Sequence, residues 1–353
     1  MSTLEVLRKL PKVQLHCHLE GTLRAPTFLE LSGRYGVSTV YRPHGSDERA
    51  AMTPKSVDDV YAFKDFGEFL FTFAAACRSL QTPADYVRLL HEYSEDAQAH
   101  NVMYAELSVS PSVWRFFNPD LDIEETFSQM YAAADDRAVD GGPVIRFIVD
   151  LTRNFGPQPA LQTARLAAGL ERYGCIGIGL GGDEASFPPT LFADAFTYAR
   201  SKGLHTVVHA GEAAGAQSVR DAIAVLGAER IGHGIRSLED SSLMELLVSR
   251  KIPLEVCPTS NYRTGVVAQD KPHPLQELER AGVTIVLDSD DPAMFQTDIT
   301  TEYAFAQKLL GTDAVLRYAR NAIDCSFAEE RPKASMRERF EQACAELLPA
   351  RRT

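Results

Sequence analysis

A chain of 353 residues, 45% hydrophobic and 24% charged, can hold one large α/β barrel or two ordinary domains, and no shift in composition separates two halves. Its net charge of -12 argues against nucleic acid or an anionic membrane as main partner, since both call for basic patches, and makes a small molecule the better expectation. No apolar run approaches a membrane span, the N-terminus lacks the features of a signal peptide, and six scattered cysteines without a CxxC read as reduced thiols, so a cytoplasmic location is expected.

The first element is Val13-Gln14-Leu15-His16-Cys17-His18, a short buried strand ending in two imidazoles. Side chains alternate along a strand, so His16 and His18 share a face and Cys17 points away. Residues 24–75 follow as a long excursion with helix-like runs at Ala25 to Tyr35 and Val57 to Phe73, separated by a Pro43-His44-Gly45-Ser46 turn cluster. An insertion there leaves the catalytic rim of a barrel and is expected to form a lid, with Phe63, Phe66, Phe69, Phe71 and Phe73 suited to an apolar wall. After it, helix and strand alternate. Helices are expected over 85–100, 121–140, 158–173, 190–202, 217–227, 241–250 and 274–281. The strands between and after them are 102–108, 144–150, 175–180, 206–209, 229–233, 252–257 and 283–288. Counted from the first, eight strands separated by helices predict a (β/α)8 TIM barrel, closed by a helical tail over about 298–349. With no internal repeat, the whole of 1–353 reads as one barrel domain.

A barrel enzyme builds its site at the C-terminal ends of its strands, and the unusual residues collect there. Strand one ends in His16 and His18, strand five in His209-Ala210-Gly211-Glu212, strand six in Gly232-His233-Gly234, and strand eight in Asp288-Ser289-Asp290-Asp291-Pro292. His209 is the natural third nitrogen ligand, and one carboxylate of the Asp290-Asp291 pair completes a zinc site that keeps a position for water. Zinc so held lowers the pKa of its water to roughly 7. Glu212 lies just past the strand and is a candidate proton donor; His233 either takes a proton from the water or stabilises the hydroxide. Adjacent carboxylates repel one another unless a cation neutralises one, which is a physical reason to place the metal beside them.

Gly177-Ile178-Gly179-Leu180-Gly181-Gly182 matches G-x-G-x-x-G, but Asp183-Glu184-Ala185-Ser186-Phe187-Pro188-Pro189 follows in place of a helix start, which excludes dinucleotide binding. The glycines instead let backbone approach a flat ligand. The H-x-E…P-C-x-x-C signature of cytidine-type deaminases and the H-E-x-x-H of zinc proteases are both missing.

As a set, His16-Cys17-His18-Leu19-Glu20-Gly21-Thr22, Leu180-Gly181-Gly182-Asp183-Glu184, His209-Ala210-Gly211-Glu212, Gly232-His233-Gly234 and Ser289-Asp290-Asp291-Pro292 resemble the adenosine deaminase family of the amidohydrolase superfamily, from about residue 10 to 305. The resemblance implies a barrel with one zinc ion per chain that replaces the 6-amino group of a purine by oxygen and releases ammonia. It implies His16, His18, His209 and Asp290 as zinc ligands, and Glu212 as the acid that protonates ring N1 as C6 is attacked. His233 would act on the water, Asp291 would hold the water or ring N7, and the Gly182 N–H would meet N3. Because Glu212 must be protonated to donate, its enclosed site is expected to raise its pKa. His18 and Glu20 are the residues that would meet the purine's substituent.

Adenosine is the first expectation as substrate. Many adenosine deaminases, however, carry Asp where Glu20 stands, and Glu there looks more like adenine or aminodeoxyfutalosine deaminases. Cys257-Pro258-Thr259-Ser260-Asn261-Tyr262-Arg263-Thr264-Gly265 points to the aminodeoxyfutalosine branch, with Arg263 as a candidate partner for that substrate's carboxylate. The binuclear amidohydrolases also use His-x-His, but usually with a bridging lysine at the end of strand four, where Gly179-Leu180-Gly181-Gly182 stands here. Oligomeric state is not readable from the sequence.

Overall fold

The computed structural model describes residues 2–41, 50–52 and 54–348. The expected turn cluster at Pro43-His44-Gly45-Ser46 lies outside them. Eight strands form one parallel sheet in sequence order: β1 Lys12–His18, β2 Val102–Val109, β3 Val144–Thr152, β4 Cys175–Gly181, β5 His205–Ala210, β6 Arg230–His233, β7 Leu254–Val256 and β8 Ile285–Leu287. Asp290 closes the ring, for its carbonyl accepts from His18 N at 2.9 Å and its own N–H donates to His16 O at 3.1 Å. The expected (β/α)8 barrel is therefore the observed architecture, with each expected strand in place.

Strands covered by helices on one side and packed inside a barrel on the other have no wet face, so they are buried throughout and their polar side chains must find partners inside. All seven residues of β1 and all eight of β2 are buried. The amphipathic helix Thr312–Cys325 lays Val315, Tyr318, Ala319, Ala322 and Ile323 over β8 and β1, covering the seam where the barrel closes. A buried triad bridges strands inside the barrel. Arg230 of β6 reaches Glu106 of β2 at 2.6 Å and Glu255 of β7 at 2.5 Å, and its guanidinium lies 3.7 Å from the Phe327 ring centroid. Removing the cation alone leaves two buried carboxylates uncompensated. Arg230→Met is thus expected to lower stability by about 3–5 kcal/mol, read as a lower urea midpoint at unchanged slope.

Three helical expectations are corrected. The run over 57–73 is instead a single turn at Val57–Asp59 and a helix at Phe66–Ser79, because Tyr61 takes a left-handed φ of 66° and Asp65 then caps a new start by accepting from Glu68 N. The tail is three helices, Ile299–Leu310, Thr312–Cys325 and Glu330–Leu347, interrupted at Gly311 with φ 86° and at Ser326. The helix expected over 158–173 ends at Gly169, with a separate turn at Glu171–Tyr173. Among the described residues no helix is long and apolar enough to cross a membrane.

Candidate active site

At the C-terminal mouth of the barrel, His16, His18, His209 and Asp290 each offer one ligand atom, and these atoms lie within 4.8 Å of one another. His18 Nε2 is 3.1 Å from His209 Nε2, and Asp290 Oδ1 is 3.3 Å from His16 Nε2 and 3.4 Å from His18 Nε2. His16 Nε2 is buried without a hydrogen-bond partner. A strand pleat puts His16 and His18 on one face; Asp290 comes from the end of adjacent β8 and His209 from β5 across the barrel mouth. Asp290 sits at φ 61°, a left-handed conformation that a non-glycine residue adopts only when its surroundings impose it. The closing hydrogen bonds to β1 on both sides of its peptide supply that constraint.

Close packing explains the glycines of the motifs. A Cβ on Gly21 would lie 1.9 Å from Asp291 Oδ1, and one on Gly232 would lie 2.7 Å from His16 Cε1. Neither position accepts a side chain without displacing a site residue.

The donor set fits a divalent cation on charge as well as geometry. Burial opposes charge on His16 and His18, yet the carboxylates around them outweigh it, so the His16 pKa rises well above its usual value and that of His18 rises to about 10. Protons there do what a metal would otherwise do, which is to neutralise Asp290 and Asp291. His209 is pushed far below its usual pKa by burial and by the other imidazoles, and it stays a neutral lone-pair donor.

Glu212 follows β5 and is 7% exposed. Its turn is held by Glu184, whose carboxylate accepts from the backbone N–H groups of Gly211, Glu212, Ala213 and Ala214 at 2.6 to 3.1 Å. Burial first, then the charges of Asp290 and Glu184, raise the Glu212 pKa to about 8. The shift is in the direction that its expected role as a proton donor requires. His233 Nε2 faces Glu212 Oε2 at 3.6 Å and Asp290 Oδ2 at 3.8 Å.

These groups floor a cavity of about 400 Å³. Gly182, with φ 98°, lies on its wall together with Asp291 and His18. Phe66, Phe69, Phe71 and Phe73 from the insertion line it, whereas Phe63 packs behind them against Phe69 and Phe295. Two expected substrate contacts are placed elsewhere. Glu20 is fully buried with Oε1 taken by Ser110 N at 2.8 Å and Trp114 Nε1 at 2.6 Å, and it is not on the cavity wall. Arg263 lies over the Phe63 ring at 5.2 Å and is not on the wall either.

Several supporting residues escaped the sequence reading. Glu255 Oε2 meets His16 Nδ1 at 2.9 Å, Asp150 Oδ2 meets His18 Nδ1 at 3.1 Å, and Ser260 Oγ donates to Asp290 Oδ2 at 2.6 Å. Such partners fix the tautomer and ring orientation of a metal-binding imidazole. A signal was present, since Glu255 and Arg230 are charged residues inside apolar strands and Asp150 sits near the end of β3.

A three-imidazole, one-carboxylate set at the C-terminal rim of a (β/α)8 barrel is the arrangement of an amidohydrolase-type enzyme. A family model for adenosine deaminase matches residues 11–343. The aminodeoxyfutalosine deaminase of Streptomyces coelicolor is 36% identical, over 96% of this chain and 86% of that protein. The adenine deaminase of Rhizobium rhizogenes is 35% identical, over 93% of this chain and 98% of its own length. A crystal structure of a Burkholderia ambifaria amidohydrolase with bound Zn superposes with a TM-score of 0.85 at 27% identity, covering 98% of this chain and 95% of that one. The chain belongs to the adenosine deaminase family, and with it to the hydrolytic deaminases.

Proposed function

We propose that this enzyme is a zinc-dependent aminohydrolase that replaces the 6-amino group of an adenine-type purine by oxygen and releases ammonia. The observation that carries the reading is the pairing of the His16, His18, His209 and Asp290 ligand set with the enclosed Glu212 carboxyl at the floor of one aromatic-walled cavity. When bound, zinc supplies the Lewis acidity that lets water attack at neutral pH. Glu212 delivers its proton to ring N1, so that C6 becomes electrophilic. Asp291 accepts a hydrogen bond from the water or meets ring N7, and Gly182 N–H meets N3. The water's oxygen becomes bonded to C6 as one of its protons passes by way of Asp291 to the amino group, the C6–N bond breaks to release ammonia, and the oxygen's remaining proton returns to Glu212, leaving C6=O beside a protonated N1. His233 hydrogen-bonds to the attacking oxygen. A cytoplasmic setting and a small-molecule substrate, with no nucleic acid or membrane partner, complete the reading.

The substrate's substituent is read from the cavity wall. Among the described residues no lysine or arginine lines the cavity, whereas Phe116, Phe117 and Phe155 form a second aromatic group there, with Phe116 5.2 Å from Phe155. This favours an uncharged purine nucleoside and disfavours both a nucleotide and the carboxylate-bearing 6-aminodeoxyfutalosine, whose anionic groups would lose their hydration without a partner. Glu20, expected to meet a ribose hydroxyl, has its Oε1 engaged by Trp114 and Ser110, while its Oε2 is buried without a partner among the described residues, and adenosine stays the preferred substrate. Ammonia release from 6-aminodeoxyfutalosine, adenosine, adenine and AMP, measured side by side, tests this. The expected order of kcat/KM puts adenosine first and AMP last, at least about 100-fold slower, the loss of one unpaired charged contact. AMP turning over as fast as adenosine would overturn the substrate reading, and no release from any of the four would overturn the reaction.

A further inference from the structure

Behind His233 runs a hydrogen-bond chain whose direction is fixed at its far end. Leu275 N–H donates to His273 Nδ1 at 3.0 Å, and a backbone N–H has no other role to take. Nδ1 of His273 is therefore an acceptor. Burial holds the His273 pKa down at about 4, so the ring is neutral and its one proton sits on Nε2. That nitrogen lies 3.1 Å from Asn261 Oδ1, which accepts. The amide's orientation, which shape alone does not define, is thereby set by the network. Its other end, Asn261 Nδ2, has only protons to offer, and it lies 3.2 Å from His233 Nδ1. A proton on His233 Nδ1 would set two donors face to face.

We propose that Asn261 and His273 are positioning residues that lock His233 in its Nε2–H tautomer, so that His233 donates a hydrogen bond to the attacking oxygen and does not remove a proton from it. Of the two roles the sequence left open for His233, the relay selects the second. The Asp290 Oδ2 that faces Nε2 at 3.8 Å is a carboxylate oxygen, which agrees. Burial keeps the relay from being re-paired by solvent: Asn261 is 0%, His233 1% and His273 4% exposed. The rings of Tyr262 and Phe305 pack on His273 at 5.6 and 5.8 Å and hold it in register. The catalytic consequence rests on the deaminase reading, whereas the tautomer does not.

The test is a two-bond 15N–1H correlation spectrum of the zinc-loaded full chain labelled with 15N-histidine, in which protonated and bare ring nitrogens are resolved. The His233 signals among the nine histidines are assigned by their loss in His233→Gln. The expected wild-type result is a protonated Nε2 and a bare Nδ1. In Asn261→Asp the new carboxylate accepts, so Nδ1 of His233 becomes protonated, and kcat falls by about 100-fold or more with KM little changed, in line with the cost of a wrong catalytic tautomer. A protonated Nδ1 on His233 in the wild type would overturn the proposal. So would an Asn261→Asp spectrum unchanged from wild type. The tautomer is read with no substrate turning over, so silence toward every purine would count against the proposed function and leave the tautomer assignment intact.

Discussion

Glu212→Gln is expected to lower kcat for ammonia release by about 10²–10⁴-fold, the contribution of a positioned general acid, while bound zinc and the unfolding midpoint stay near their wild-type values. Glutamine matches the side chain in size and keeps a donor toward ring N1, but its amide does not give up a proton. The turn that presents residue 212 is held by Glu184 through backbone N–H groups, and the substitution leaves those bonds untouched. The pH dependence follows from the sign of the shift. The Glu212 pKa is raised, to about 8, by burial and by the charges of Asp290 and Glu184, so the active, protonated form is present below that pH and is lost as pH rises through it. A cation beside Asp290 cancels part of that repulsion, which places the alkaline fall of kcat/KM at or below about 8. In Glu212→Gln this limb of the profile is expected to vanish along with most of the rate. A profile in which the limb persists unchanged would remove Glu212 from the acid's role.

Asp290→Asn is expected to lower zinc affinity and kcat by more than about 100-fold each, exceeding the roughly 10–100-fold typical of residues that only support a metal ligand. The carboxylate stands 3.3 and 3.4 Å from the His16 and His18 nitrogens and accepts from Ser260 Oγ at 2.6 Å. Asparagine keeps the shape and the Ser260 bond, but it removes the negative charge that makes the imidazole cluster a cation site. Zinc content after dialysis against a chelator, followed by add-back, reads the effect directly. Wild-type protein stripped of metal is expected to lose activity and regain it with zinc, and the variant to regain little at the same concentration. Full activity in thoroughly stripped wild type would show that no metal takes part.

The strand count, the barrel and the residues that gather at its mouth are legible in the sequence alone. These follow from local properties: a two-residue period puts His16 and His18 on one face, and an apolar run bounded by polar turns is a strand wherever it falls. Helix boundaries were less legible where a local cap or a left-handed residue overrides periodicity, as at Asp65 and Tyr61. Only the tertiary structure decided what each site residue touches. His16 meets Glu255 across 239 positions of sequence, Glu20 turns to Trp114 across 94, and His233 meets Asn261 across 28. Those pairings exist because closing an eight-stranded ring brings the ends of distant strands within hydrogen-bond reach, and a hydrogen bond's partner and direction are set by that closure and by no pattern within any one strand.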